Sequence, residues 1–276
     1  MTILCRSFGY SKQAYYRSQH LGSRLERECY LVSLVEEIRD DMPRLGGLKL
    51  WKLLNDNGVR ICRDELYDIL RRRGLLVKRS KSRAITTDSR GWHRQHPNLV
   101  KGMEVTHPNQ VWVSDITYVT TRSGFVYLSL ITDVYSRRIM GWHAHSTLES
   151  GGPLRALYHA VCQVEDVELN GLIHHSDRGC QYCSTQYVET LSHRGIRISM
   201  TQDGSPYDNA IAERVNGILK REWLNDEDFA GLQDVREKVD KIVYLYNNRR
   251  PHLAIGFNTP ENIYQQKRNE FTMRVF

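Results

Sequence analysis

Three carboxylates in this chain fall where a carboxylate is costly or directional. Asp115 lies in the middle of VWVSDITYV, flanked by Val111, Val113, Ile116 and Val119. An unpaired charge there costs several kcal/mol and demands a compensating partner. Asp177 ends the short apolar run GLIHHSD, and Glu213 opens the helical segment after the turn PYDN. Acids on one strand, at the tip of another and on a nearby helix can meet at a sheet end, where divalent cations would neutralise them. Taken singly, each acid is more simply a surface or capping carboxylate.

Helix geometry adds a basic residue to this set. Lys220 follows Glu213 by seven positions, so it returns to within ~20° of the same face, about 10 Å further along. Asn209 and Asn216 lie on or near that face; they are candidates for contacts to phosphate or base edges, or equally for a helix cap and a solvent-facing amide. Cys180 and Cys183 form a CxxC near His174 and His175, a donor set that suggests zinc. Strand alternation sends the two histidines to opposite faces and no second CxxC exists, so zinc is set aside. Asp133 reads as a structural acid beside Ser136 and Arg137. Trp112, Tyr118, Tyr127 and Trp142 read as core or sheet-surface aromatics.

The elements that must carry these residues follow from periodicity. Leu31, Leu34, Val35 and Ile38 form one apolar stripe in a helix over 25–42, closed by Pro43. Two amphipathic segments, 48–55 and 63–73, flank Asn57-Gly58 and end on Arg71, Arg72 and Arg73. That outline is a helix-turn-helix or an ordinary helical hairpin. A basic, Ser/Thr-rich connection over 77–98 follows. Strand-like runs then span 111–119, 125–136 and 138–146, so closely spaced that they must be antiparallel neighbours. The later order, helix 154–163, strand 171–177, helix 184–193, strand 196–200 and helix 209–224, gives βββαβαβα. The expected fold is α/β, a mixed five-stranded sheet with flanking helices behind a small all-helical domain. The expected divisions are a helical DNA-binding region over 1–80, a linker over 81–105, a catalytic core over 106–225 and a helical extension over 226–276.

Composition bounds the function. The 276 residues carry a formal net charge of +7, unevenly placed: residues 1–100 hold 20 Lys/Arg against 11 Asp/Glu, the rest 19 against 21. A basic front on a near-neutral body suits a polyanion-binding module joined to a working domain. The apolar fraction of 40% argues against disorder throughout, and no apolar run approaches a membrane span or a secretory leader. Six scattered cysteines do not make a disulfide framework. An intracellular protein is expected.

The segments WVSDITYV, GFVYLSLITDVYSRRIMGW, HHSDRGCQY, GSPYDNAIAERVNGILKREW and YLYNNRRPHLAIGFNTP together resemble the ribonuclease H-like core of DDE transposases and retroviral-type integrases. The likeness is nearest to the second-frame product of the IS3 family of bacterial insertion sequences and covers about residues 107–262. Between Asp177 and Glu213 lie 35 residues, the separation typical of that family, and 61 lie between Asp115 and Asp177. The resemblance implies that Asp115, Asp177 and Glu213 are catalytic and bind two Mg²⁺ ions, with Mn²⁺ able to substitute. It makes Lys220 a contact to DNA at the element end. Two-metal phosphoryl transfer would use Asp115 as the bridging ligand and need no protein nucleophile.

The implied activity is a DNA transposase that cleaves a strand at an element end and joins the freed 3′-hydroxyl to another phosphodiester, first linking one end to the other. DNA, a second protomer in the synaptic complex and the upstream-frame product are the expected partners, in a bacterial cytoplasmic, nucleoid-associated setting. The family's upstream frame supplies a helix-turn-helix and a leucine zipper; no sustained heptad is present here, so this chain is expected to be the catalytic part. Arg249 and Arg250 in YNNRRPH are candidate backbone contacts, or a helix end stopped by Pro251. The rival readings are a DNA-binding regulator without catalysis and a nuclease that hydrolyses without joining.

Overall fold

The computed structural model describes residues 12–78, 96–202 and 209–275, with side chains between 24 and 268. Most of the expected linker and most of the turn TQDGSPYDN lie outside the described residues. The chain divides into two compact units, residues 1–79 and 80–276.

The first unit is helical. Helix α1 (Lys12–Asp41) buries Leu31 and Val35, as the stripe requires, and packs on α2 (Gly47–Asp56), which buries Leu50 and Leu54, and on α3 (Arg63–Arg72), which buries Leu66, Ile69 and Leu70. Gly58, at φ 84°, makes the left-handed turn between α2 and α3 that a side chain would resist. Trp51 Nε1 donates to Ile61 O at 2.9 Å and ties that turn back to α2.

The second unit is built on one sheet, formed by β1 (Val111–Thr121), β2 (Gly124–Asp133), β3 (Ile139–His145), β4 (Ile173–Ser176) and β5 (Arg197–Met200), in the order β3-β2-β1-β4-β5. The first three are antiparallel hairpin neighbours, whereas β4 and β5 join parallel to β1 after helical crossovers. This is the mixed five-stranded sheet expected from the segment order, in the ribonuclease H-like arrangement that the resemblance implies. Those crossovers are α4 (Gly151–Val161) with a single turn α5 (Asp166–Leu169), and α6 (Thr185–His193). Trp112, Ile131, Met140, Leu157, Tyr187 and Leu191 pack together between sheet and helices. Gly141 lets α4 press on β3, because a Cβ there would lie 2.2 Å from Ala156 O.

Three further helices complete the unit: α7 (Ala210–Glu222), which packs on β1; α8 (Leu232–Asn248), which packs on β3; and α9 (Pro260–Val275). Asp133 is fully buried and accepts from Ser136 N, Ser136 Oγ and Asn109 N at 2.7, 2.6 and 2.8 Å, the structural part expected of it. The YNNRRPH segment is a clamp. Asn247 both donates to and accepts from the backbone of Ile139, and Arg250 forks onto Glu222 at 2.7 and 2.6 Å.

Candidate active site

Strand register brings the first two acids together. The parallel pairing of β1 with β4 runs from Val111 opposite Ile173 to Ser114 opposite Ser176, so Asp115 and Asp177 are the next residues along two neighbouring strands. Strands in a sheet lie about 4.8 Å apart, and residues level across them share a face. Beyond Ser176 the β4 strand ends, so the carboxylates stand where β1 passes from parallel to purely antiparallel company. Crevices outside strand ends at such switch points are where ligands bind in α/β sheets.

Asp115 and Asp177 are each half-buried. Asp115 Oδ1 accepts from Ile116 N at 2.9 Å and Oδ2 from Asn216 Nδ2 at 2.7 Å, and Asp177 Oδ1 accepts from Gly179 N at 3.0 Å. These are neutral donors. Burial pushes the Asp115 carboxyl up to about 7, and repulsion by Asp177 adds to the shift against the pull of the Asn216 amide. Burial also raises Asp177, opposed by the Gly179 N–H.

Glu213 stands in the first turn of α7, three residues before Asn216, and its side chain is exposed. It is near enough for its charge to raise Asp115 further. The expected closed cage of three carboxylates is not drawn tight: among the described residues no three His, Cys, Asp or Glu side chains stand close enough to hold one ion. Like charges repel, and the acid on the exposed helix face is the one free to turn to water.

The other expected residues separate into two groups. Lys220 is half-buried on α7 with Nζ 3.9 Å from the centre of the Tyr118 ring, and Asp115 acts on its charge. Asn216 is buried against Asp115, so it braces an acid and does not reach outward to DNA. Asn209 caps nothing through its side chain; its Nδ2 donates to Ser114 O at 3.1 Å and fastens the start of α7 to β1. Arg250, only 2% exposed and committed to Glu222, is not available to phosphate, whereas Arg249 is exposed. At the end of α3, Arg72 and the capping Arg73 both bond Glu28, at 2.6 and 2.8 Å, and Arg71 bonds Asp68 at 2.6 Å, although all three keep exposed surface.

The histidines of HHSD have protein partners. His174 Nε2 meets Tyr187 OH at 2.9 Å, and His175 Nδ1 meets Ser199 Oγ at 2.8 Å. Sequence reasoning missed the bond from Asn216 to Asp115, although the spacing of three from Glu213 places both on one helix face. It also missed the stacking of Lys220 on Tyr118.

Comparison with known proteins identifies the family. The integrase core domain family matches residues 105–206, and a second integrase core domain family matches 194–260. The transposase for insertion sequence element IS904 of Lactococcus lactis is 31% identical over 87% of this chain and 94% of its own length. The IS629 transposase of Shigella sonnei is 30% identical over 93% of this chain and 88% of its own. Transposase InsF for IS3A of Escherichia coli is 29% identical over 94% and 91%. Among solved structures, the HTLV-2 integrase catalytic core is similar at 20% identity and TM-score 0.45, covering 57% of this chain. With the acids, their spacing and the sheet in place, the chain belongs to the IS3-type family of insertion-sequence DNA transposases with an integrase core domain.

Proposed function

We propose that Asp115, Asp177 and Glu213 form the catalytic centre of this transposase, hold two Mg²⁺ ions, and cut and join DNA strands at the ends of an insertion sequence. The observation that carries this is the register placing Asp115 level with Asp177 on adjacent parallel strands, with α7 alongside. The donor set fits hard cations. It is all oxygen, and two of its carboxylates are raised by burial while bonded only by neutral groups. Among the described residues, Asn209 Oδ1 and Asn216 Oδ1 are buried acceptors without a protein donor, suited to the waters of a hydrated ion.

When bound, such ions activate a water or 3′-hydroxyl nucleophile and stabilise the departing oxygen. The chain's own groups supply the geometry. Asp115, fixed at both oxygens, Asp177 and Glu213 would hold the ions. Lys220 contacts a phosphate of the element end, and Arg249 and the Arg71 to Arg73 cluster add backbone contacts. At least two protomers hold two ends in one complex, and the upstream-frame product contributes end recognition. The same chemistry works with Mn²⁺.

The test incubates the purified chain with labelled element ends and Mg²⁺. Joined products are expected; hydrolysis alone favours a nuclease, and binding alone a regulator. Asp115→Asn and Asp177→Asn each remove a ligand worth several kcal/mol and should lower strand transfer about 10³-fold with end binding largely kept. Glu213→Gln should do the same, and a Glu213→Gln variant that still joins ends would remove Glu213 from the triad.

A further inference from the structure

The C-terminal half of α7 and the far end of β1 enclose an open cleft of about 730 Å³, lined among others by Tyr118, Arg122, Gly217, Lys220, Arg221 and Phe229. Arg122 pairs with Asp228 across its wall. Lys220 is placed differently. Its ammonium sits 3.9 Å from the centre of the Tyr118 ring, over the aromatic face. The ring is itself held by Phe125, edge to face, at 5.5 Å between centroids and 76° between planes. Tyr118 is three residues after Asp115 on the same strand, and Lys220 is seven after Glu213 on the same helix.

We infer that Tyr118 is a positioning residue: its ring face holds the Lys220 ammonium in place, ready for a phosphate of the element end. The inference rests on the reading of Lys220 as a DNA contact. A lysine on a free four-carbon stem spreads its charge over many rotamers and loses that freedom on binding. An aromatic face attracts the ammonium and fixes it while leaving its N–H donors free, unlike a carboxylate partner, which would occupy them. Burial lowers the Lys220 pKa and the charge of Asp115 opposes that change. Tyr118 therefore prepares the cation in advance, and the cost of ordering it is met before DNA arrives.

The test is a double-mutant cycle on end binding, measured with labelled element-end DNA in Ca²⁺ so that no strand is cut. Lys220→Gln should weaken binding. Tyr118→Leu should weaken it about three- to tenfold, the span of a partly desolvated cation–π contact, and Tyr118→Phe should stay within about twofold. In the Lys220→Gln background, Tyr118→Leu should add no more than about twofold. Lys220→Gln effective and Tyr118→Leu silent overturns the inference alone, as does a Tyr118→Leu loss that persists without the lysine. Lys220→Gln without effect overturns both the DNA-contact reading and this inference. A second measurement does not depend on the variants folding: with ¹³C-labelled lysine, the Lys220 Cε protons of the unaltered chain should be shifted upfield by the ring current. Their absence from that region overturns the inference.

Discussion

Asn216 reaches Asp115 Oδ2 at 2.7 Å, and this single bond changes what the residue does. Removing a group that orients a metal ligand commonly costs 10- to 100-fold in activity or metal affinity. Asn216→Ala should therefore slow joining of element ends by roughly that factor, while binding of end DNA in Ca²⁺ stays within about twofold. Single-turnover strand transfer set against end affinity separates this outcome from a direct DNA contact, which would lower affinity instead. Which residues share the face of Glu213 was legible in the sequence, because steps of three and seven on a helix return to one side. The object that face meets was not. It depends on α7 crossing β1 at Asp115, a contact 101 residues distant in the chain. The same holds for Tyr118 and Lys220: an aromatic on a strand and a lysine on a helix carry no local mark of being partners.

At the scale of elements, the five strands and the helices between them were readable from period and turn residues, and each reading rested on a physical cause. The β2 run ends at Asp133 and not at Ser136, because Asp133 turns the chain by bonding Ser136. The one-turn α5 is too short for a period to declare it. Arg250 was the misleading case. Arginine beside arginine at a helix end looks like a phosphate contact, yet its guanidinium is buried against Glu222, the last residue of α7, and so anchors the helix that carries Glu213 and Lys220. Breaking one side of a buried pair costs about 3–5 kcal/mol. Arg250→Gln should therefore lower the unfolding free energy in urea by about that amount, with no selective loss of end affinity in the protein that remains folded. A second element-level outcome concerns His174, whose ring is pushed down to about 3 by burial and by His175. The folded chain keeps this ring neutral, whereas the unfolded chain binds a proton near the ordinary 6.5. Its contribution is complete above that pH and is lost as pH falls toward 3, at up to about 1.4 kcal/mol per pH unit. Urea midpoints followed from pH 7 downward should decline less steeply in His174→Gln than in the unaltered chain.

At the scale of the whole molecule, the charge is divided in a way that the two units make physical. Residues 96–276, the part of the second unit that carries the acids, contain 19 Lys/Arg and 21 Asp/Glu, so this part is close to neutral and has little long-range attraction for DNA. The 20 Lys/Arg before it face only 11 Asp/Glu. Part of that excess is spent internally: Arg72 and Arg73 hold Glu28, Arg71 holds Asp68, and Lys52 pairs with Asp56. What is left over is expected to supply most of the non-specific hold on phosphate, which salt reports directly, because each neutralised phosphate contributes about 0.9 to the slope of log K against log salt. A chain starting at residue 96 should therefore bind element ends more weakly and with a slope shallower by about 2–3, the loss of two or three phosphate contacts. At raised protein concentration it should still join ends in Mg²⁺, since Asp115, Asp177, Glu213, Asn216 and Tyr118 all lie in the unit it retains. An unchanged slope would place the phosphate contacts in the near-neutral unit, on Lys220, Arg249 and their neighbours, and would leave the basic front to recruit a partner protein.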